Sequence, residues 1–218
     1  MACRRTAVAL CLLVCGLAAA SYAEDPLYKT PAGGAERKAI EVILSRMTEN
    51  PVMRGSFSQQ KDIKSLSRSF KGSGTFIIAR DDGIIWDTLK PFPSTMIISG
   101  DKIIQRTPGG KASIMQAGDN PVFKEFGDTI RSVFSGDTNL LFSKFNVYFS
   151  KGESGIWRIG LVPKDSVVRS VISAMEISGS QIMDRFLLTE VSSDTVCYVF
   201  SGQTFSKELT IEEKNRYN

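Results

Sequence analysis

Histidine is absent from all 218 residues. That removes every scheme in which an imidazole serves as base, acid, nucleophile or metal ligand, and with it most hydrolase chemistry. Cysteine is scarce where it would count. Of the four, Cys3, Cys11 and Cys15 lie within the first 23 residues, which leaves Cys197 alone. A secreted chain with one thiol cannot staple itself, so its stability has to come from a packed core. Cys197 stands in Thr195-Val196-Cys197-Tyr198-Val199-Phe200, which reads as a strand, and as a small apolar side chain it is expected to be buried. An excess of one charge is also lacking: 27 Lys and Arg face 23 Asp and Glu, a formal +4 that falls to +2 once Arg4 and Arg5 are set aside. So near a balance does not point to nucleic acid.

Residues 1–23 read as a signal peptide. Arg4 and Arg5 precede an apolar run from Ala7 to Ala20, and Ser21-Tyr22-Ala23 puts small residues at the two positions a signal peptidase reads, so cleavage is expected after Ala23. A retained membrane anchor is the alternative, but the run is short for a bilayer span. Leu12-Leu13-Val14-Cys15-Gly16 is close to a lipobox, which would put a lipid on Cys15, although Val14 is bulkier than the small residue usual there. The remaining chain, 24–218, is expected to be one exported domain.

Within that domain, Ile40, Ile43, Leu44 and Met47 fall at i, i+3, i+4 and i+7 and predict one amphipathic helix ending near Asn50-Pro51. The period then changes. Met53–Lys61, Ser69–Ala79, Ile84–Leu89, Ser94–Ser99 and Lys102–Thr107 read as strands divided by turn residues, with Asp82-Gly83 predicting a tight hairpin. Phe123, Phe126, Ile130, Val133 and Phe134 return to helical spacing, closed by Gly136. Strand patterns resume at Phe145–Phe149, Ile156–Val162, Ala174–Ile177, Ile182–Val191, Val196–Phe200 and Glu208–Glu212, with a helical turn or two over Asp165–Ile172. About eleven strands and two principal helices, without strand–helix alternation, predict an α+β, mainly β, fold: one strongly curved antiparallel sheet or open barrel whose concave face the two helices cover. Whether they fill that face or lid an apolar cavity stays open on pattern alone.

Catalytic patterns are thin. No Ser-x-x-Lys with supporting motifs stands out, the adjacent carboxylates Asp81-Asp82 and Glu212-Glu213 read as surface pairs, and Gly109-Gly110-Lys111-Ala112 lacks the rest of a phosphate-binding loop. With neither histidine nor a cysteine cluster, no metal or other cofactor is expected and the chain reads as a non-enzyme.

Three segments carry a family resemblance. Gly55-Ser56-Phe57-Ser58-Gln59-Gln60-Lys61, then Gly72-Ser73-Gly74-Thr75-Phe76, then Arg80 through Ile84-Ile85-Trp86 to Lys90-Pro91, resemble in order and spacing the first half of the periplasmic outer-membrane lipoprotein carriers of the LolA type. The most specific element is Arg80, five residues, Trp86, four residues, Pro91. Asp81 and Ile84 depart from the better-known carriers, which have Pro and an aromatic there, so the resemblance is to a divergent branch. It implies a half-open antiparallel β-barrel of about eleven strands, helices over its concave face, and an apolar cavity for the acyl chains of lipoproteins or related lipids. It also implies a periplasmic monomer that loads from an inner-membrane transporter complex and unloads to an outer-membrane acceptor. Phe57, Phe76, Arg80, Ile84, Trp86, Phe126 and Ile130 are the ligand-binding candidates. Arg80 is implied to hold the lid by donating to backbone carbonyls, a task suited to a guanidinium with five donors. Ile84 and Trp86 share strand parity and are expected to point inward together. Two rival classes remain at this stage: a sensor of lipid or lipidated protein on the same fold, and a structural envelope protein with a solid core.

Overall fold

The computed structural model describes residues 24–100, 102–110, 112–116 and 136–217. The expected signal peptide, Cys15 and the Phe123–Phe134 helix with Phe126 and Ile130 lie outside the described residues.

The sheet has eleven antiparallel strands: β1 (Val52–Ile63), β2 (Arg68–Ala79), β3 (Gly83–Lys90), β4 (Ser94–Ser99), β5 (Lys102–Arg106), β6 (Ser113–Gln116), β7 (Phe145–Lys151), β8 (Trp157–Pro163), β9 (Ile172–Gly179), β10 (Met183–Glu190) and β11 (Thr195–Ser206). Their spatial order is β6-β5-β4-β3-β2-β1-β11-β10-β9-β8-β7. The chain therefore forms two meanders, β1–β6 and β7–β11, welded where the first strand meets the last. That weld runs from Val52↔Ser206 to Asp62↔Thr195. The sheet is not closed, since β6 and β7 stand at its two ends, which agrees with the half-open, mainly β architecture expected.

Side-chain alternation gives each strand one apolar inward face. Following the register across the sheet, Ile103, Ile98, Ile84, Ile78 and Met53 share that face with Phe200, Ile177, Ile159 and Val147, and all belong to one continuous core. Helix α1 (Gly34–Met47) lays the predicted Ile40, Ile43, Leu44 and Met47 onto this concave surface. Its start is held by the Gly33 N–H donating to Glu36 (3.0 Å). A short helix, α2 (Thr138–Lys144), capped by Asp137, adds the fully buried Leu141. Arg37 of α1 ties the two helices, donating to Asn139 (2.7 Å) and lying 4.5 Å from the Phe142 ring centroid.

The convex face is partly covered by two segments that sequence periodicity did not reveal. The stretch before α1 buries Leu27, donates from the Tyr28 hydroxyl to the Met175 carbonyl (3.1 Å), and bonds along β7 through Ala32 N–H to Val147 (2.8 Å). Arg158 fastens it, reaching both Asp25 (2.5 Å) and the buried Glu176 (2.6 Å), and the Arg158 hydrogen bond holds the Asp25 carboxyl below its usual range. At the other side, α4 (Ile211–Arg216) lies where a strand over Glu208–Glu212 was expected. The alternation there is misleading: Leu209 is buried, Ile211 is 81% exposed, and Thr210 forms a capping box with Glu213. Leu209 and Tyr217 pack on a second apolar layer that includes Val52, Ala79, Ile85 and Ile97. The helical turn expected in 165–172 is α3 (Ser166–Arg169), capped by Asp165. Strand β6 was not expected, so eleven strands result from one missed and one misread segment. Asp82-Gly83 forms the expected hairpin, with Gly83 at φ +119°, where a Cβ would meet the Ile98 carbonyl at 1.9 Å.

Arg54 grips Glu213 through two bonds of 2.6 Å, and Arg216 grips Asp87 at 2.6 and 2.8 Å. These hydrogen bonds from Arg54 pull the Glu213 carboxyl down to about 2. Because the folded value is depressed, the pair's stabilisation is complete above the ordinary carboxylate range and is lost as pH falls through about 2. Glu213→Gln is expected to cost about 1 kcal/mol at neutral pH, discounted for partial exposure, and to abolish this part of the acid-induced fall in Tm. Thermal melts of both proteins between pH 7 and pH 2 measure it.

Candidate functional site

Phe57, Phe76, Ile84 and Trp86 converge on the concave face. Their meeting depends on missing side chains. Gly74 lies opposite Phe57 across the β1–β2 ladder, and a Cβ there would sit 2.7 Å from the Phe57 ring and 1.9 Å from the Asp87 carbonyl. Gly55 likewise lies opposite Phe76, with 2.8 Å between an added Cβ and that ring. Each ring thus lies flat over its neighbour's glycine. Phe57 of β1 reaches past β2 to stack on Trp86 of β3, with centroids 4.1 Å apart and planes at 25°. Phe76 also lies nearly parallel to Trp86, with centroids 6.0 Å apart, and meets Phe200 edge-on at 5.3 Å. Tyr198 stands at 90° to Trp86, 5.2 Å away, and leads on to Phe186 at 6.3 Å. The result is an aromatic floor spanning β3, β2, β1, β11 and β10.

Tyr198, Phe200 and Phe186 were not among the residues singled out from the sequence. Tyr198 and Phe200 share strand parity, but only the β1–β11 register joins them to Phe57, and a reading of each strand alone cannot supply it.

Burial is graded along this face. At the end where β2 turns into β3, Ile78, Ile84, Ile98, Ile103, Met53 and Met183 are buried. Toward the opposite end, Trp86, Met96, Phe186, Leu188 and Tyr198 are only half-buried, while on the β7–β9 side Leu161, Met175 and Ile172 stay buried. The hollow therefore opens at the end bearing the β1–β2, β3–β4, β8–β9 and β10–β11 connections. Polar groups appear near that mouth: Lys61 pairs with Glu190 at 3.0 Å, and the Tyr198 hydroxyl makes no hydrogen bond among the described residues, with burial pushing its pKa up.

Arg80 lies apart from the floor. It is exposed at the β2–β3 turn, and its Nη2 donates to the carbonyl of Thr48, the residue that ends α1. Among the described residues Asp81 makes no ion pair with it. The guanidinium so satisfies a carbonyl at a helix C-terminus, where cations are favoured. Cys197 departs from expectation: it is half-buried on the convex face, lining an open depression of about 680 Å³ with Ser58, Gln60, Asp62 and Arg185. That depression, which Leu187 and Val199 also line, lies on the other face of the sheet from the aromatic floor.

Among the described residues the concave face offers apolar and aromatic contact and no arranged nucleophile and base. Among the described residues no three His, Cys, Asp or Glu side chains gather as a metal site, and no helix is long and apolar enough to cross a membrane.

No curated protein matches the chain in sequence. In structure, a LolA superfamily protein of Nitrosomonas europaea overlays with a TM-score of 0.46 at 6% identity, covering 82% of this chain and 97% of its own. A putative outer membrane lipoprotein-sorting protein domain from Vibrio parahaemolyticus gives 0.44 at 10%, covering 82% and 95%. The Pseudomonas aeruginosa MucA/MucB complex gives 0.46 at 11%, covering 83% and 60%. These overlays are too loose to bear on function. The decisive match is in sequence: the family described as outer membrane lipoprotein carrier protein LolA matches residues 50–212, from the approach to β1 into α4. With its open eleven-strand sheet and aromatic concave floor, the chain belongs to the LolA family.

Proposed function

We propose that this protein is a periplasmic carrier that holds acyl chains of lipoproteins or related lipids against its concave face and passes them from the inner to the outer membrane. The observation that carries the reading is the graded exposure of the aromatic floor: apolar side chains fully buried at one end become half-exposed toward the mouth. Half-exposed rings and a methionine at the mouth of a hollow gain by covering themselves with hydrocarbon, at about 25 cal/mol per Å² removed from water. Membership of a family named for lipoprotein carriage supports the same reading. Trp86, with the half-buried Tyr198, Phe186 and Met96, supplies the contact surface, and the buried Phe57, Phe76 and Ile84 back it from beneath. Arg80 acts at a distance, fixing the end of α1 to the β2–β3 turn. Transfer needs no fuel in the carrier: an inner-membrane transporter loads it, and an outer-membrane acceptor with higher affinity unloads it.

Two tryptophans make a direct test. Trp86 belongs to the floor, whereas Trp157 is 2% exposed at the closed end and donates to the Ser180 carbonyl (2.9 Å). A spin-labelled fatty acid is expected to quench most of the emission of a Trp157→Phe chain, whose sole tryptophan is Trp86, and little of that of Trp86→Phe. Undiminished emission from both chains at saturating probe rejects the carrier.

Arg80→Leu tests the tether. Exchange of a bound fluorescent acyl probe is expected to become several-fold faster in stopped-flow measurements, while Tm moves by less than about 4 °C, as befits an exposed contact of about 1 kcal/mol.

A further inference from the structure

Thirteen large apolar side chains among the described residues are exposed, and they are unevenly placed. Seven lie on the connections around the mouth of the hollow: Leu66 and Phe70 at β1–β2, Leu89 and Phe92 at β3–β4, Val167 and Val171 at β8–β9, and Val191 at β10–β11. Phe92, at 82%, is nearly as exposed as a side chain can be. Singly such residues need no explanation, but a contiguous set does. Three of these connections are stitched together. Lys64 N–H donates to Asp194 (2.9 Å), joining the β1–β2 and β10–β11 turns, and Val191 N–H donates to Val171 (2.9 Å), joining β10–β11 to β8–β9. Ser73 pairs with Lys90, which puts the β3–β4 turn at the same end of the sheet, five residues of β2 short of the β1–β2 turn.

The charges on this rim are sorted as well. Lys64, Arg68, Lys71, Lys90, Lys164 and Arg169 are all exposed and none forms an ion pair with a described residue, although the Lys164 ammonium donates to the Phe142 carbonyl (2.7 Å) and Lys71 lies in the field of Asp62. The rim's carboxylates are occupied: Asp194 with Lys64 N–H, Asp165 capping α3, Glu190 with Lys61, and Asp62 with Ser69 and Gln60. The connections at the opposite end are mixed in sign, with exposed Glu49, Asp81, Asp82 and Glu153 beside exposed Arg46, Arg80, Lys102 and Lys151. The mouth end thus presents exposed apolar side chains interleaved with cations that form no ion pair among the described residues, whereas the charges at the other end offset one another.

We propose that the open end of the half-barrel is a docking surface for an anionic lipid bilayer. Phe92, Leu89, Leu66 and Phe70 enter the headgroup–acyl boundary, and Lys64, Arg68, Lys90 and Arg169, with long apolar stems, extend to lipid phosphates. Docked in this way, the mouth of the hollow faces the membrane. This goes beyond carriage, since it assigns a lipid surface as a partner in its own right, and vesicle binding reads out separately from uptake of an acyl probe into the hollow.

The test is co-sedimentation of the purified protein, in the form its host processes, with vesicles of phosphatidylcholine alone or mixed with phosphatidylglycerol. Binding to the mixed vesicles is expected, weakening as salt is raised. Lys90→Gln and Lys64→Gln should each lower partitioning about fivefold on the mixed vesicles. Phe92→Ser should lower it about tenfold. Ile156→Ser, an exposed apolar residue at the opposite end, should leave it unchanged. All four positions are exposed, so circular dichroism and Tm should match the parent. The proposal is overturned if the protein stays in the supernatant with both kinds of vesicle, or if Phe92→Ser and the lysine variants sediment like the parent. It is equally overturned if binding needs native membranes with their proteins and protein-free vesicles remain bare, which would make the rim a protein-binding surface.

Discussion

β1 and β11, the first and last strands of the chain, lie side by side for their whole length, and their register determines which side chains share the hollow. Val52↔Ser206 at one end and Asp62↔Thr195 at the other bring Phe57 and Phe200 opposite each other, with a bulge between Arg54 and Ser56 absorbing the mismatch. A slip by one residue would turn every inward side chain of one meander outward relative to the other. The aromatic floor is assembled across this seam, with Trp86, Phe76 and Phe57 from one meander and Phe200, Tyr198 and Phe186 from the other. Such pairing closes a very long loop, so it has to be rewarded by many contacts at once. Twelve-residue strands and a ring cluster on the seam meet that demand.

Much of the fold was legible because the sequence alternates with period two where strands form and with period 3.6 in α1. The resemblance and the parity of Ile84 and Trp86 were enough to bring four candidates onto one face. What could not be read locally depends on distant pairing. Tyr198 and Phe200 sit in a strand that looks ordinary until its partner is known. β6 is four residues, Ser113-Ile114-Met115-Gln116, too short for a period to assert itself. The stretch around Leu209 alternates like a strand, yet its capping box makes a helix whose anchors are ion pairs to Arg54 and Asp87, far away in sequence. The rim residues are a similar case: Phe70, Leu89 and Val191 read as ends of strands, Val167 and Val171 as a helical turn and Phe92 as part of a turn, and only the folded arrangement brings them to one end.

The two faces of the sheet divide the work of stabilisation. On the convex side, partly shielded ion pairs fasten the covering segments: Arg158 with Asp25 and Glu176, and Arg54 with Glu213. Each is geometrically specific, and each is sensitive to acid because its carboxylate must stay charged. On the concave side the cohesion is apolar and therefore non-directional. That difference puts the directional, acid-sensitive contacts on the outer straps and leaves the inner surface to non-directional packing.

The ladder of strands ends at β6 and β7 without closing on itself. A sealed barrel has a girth fixed by strand number and stagger, so enlarging its interior means breaking main-chain bonds. An open sheet is a leaf spring instead. It can flatten or curl by small changes of twist at each of its ten seams, every backbone bond kept, and so match its capacity to thin or bulky contents at little elastic expense.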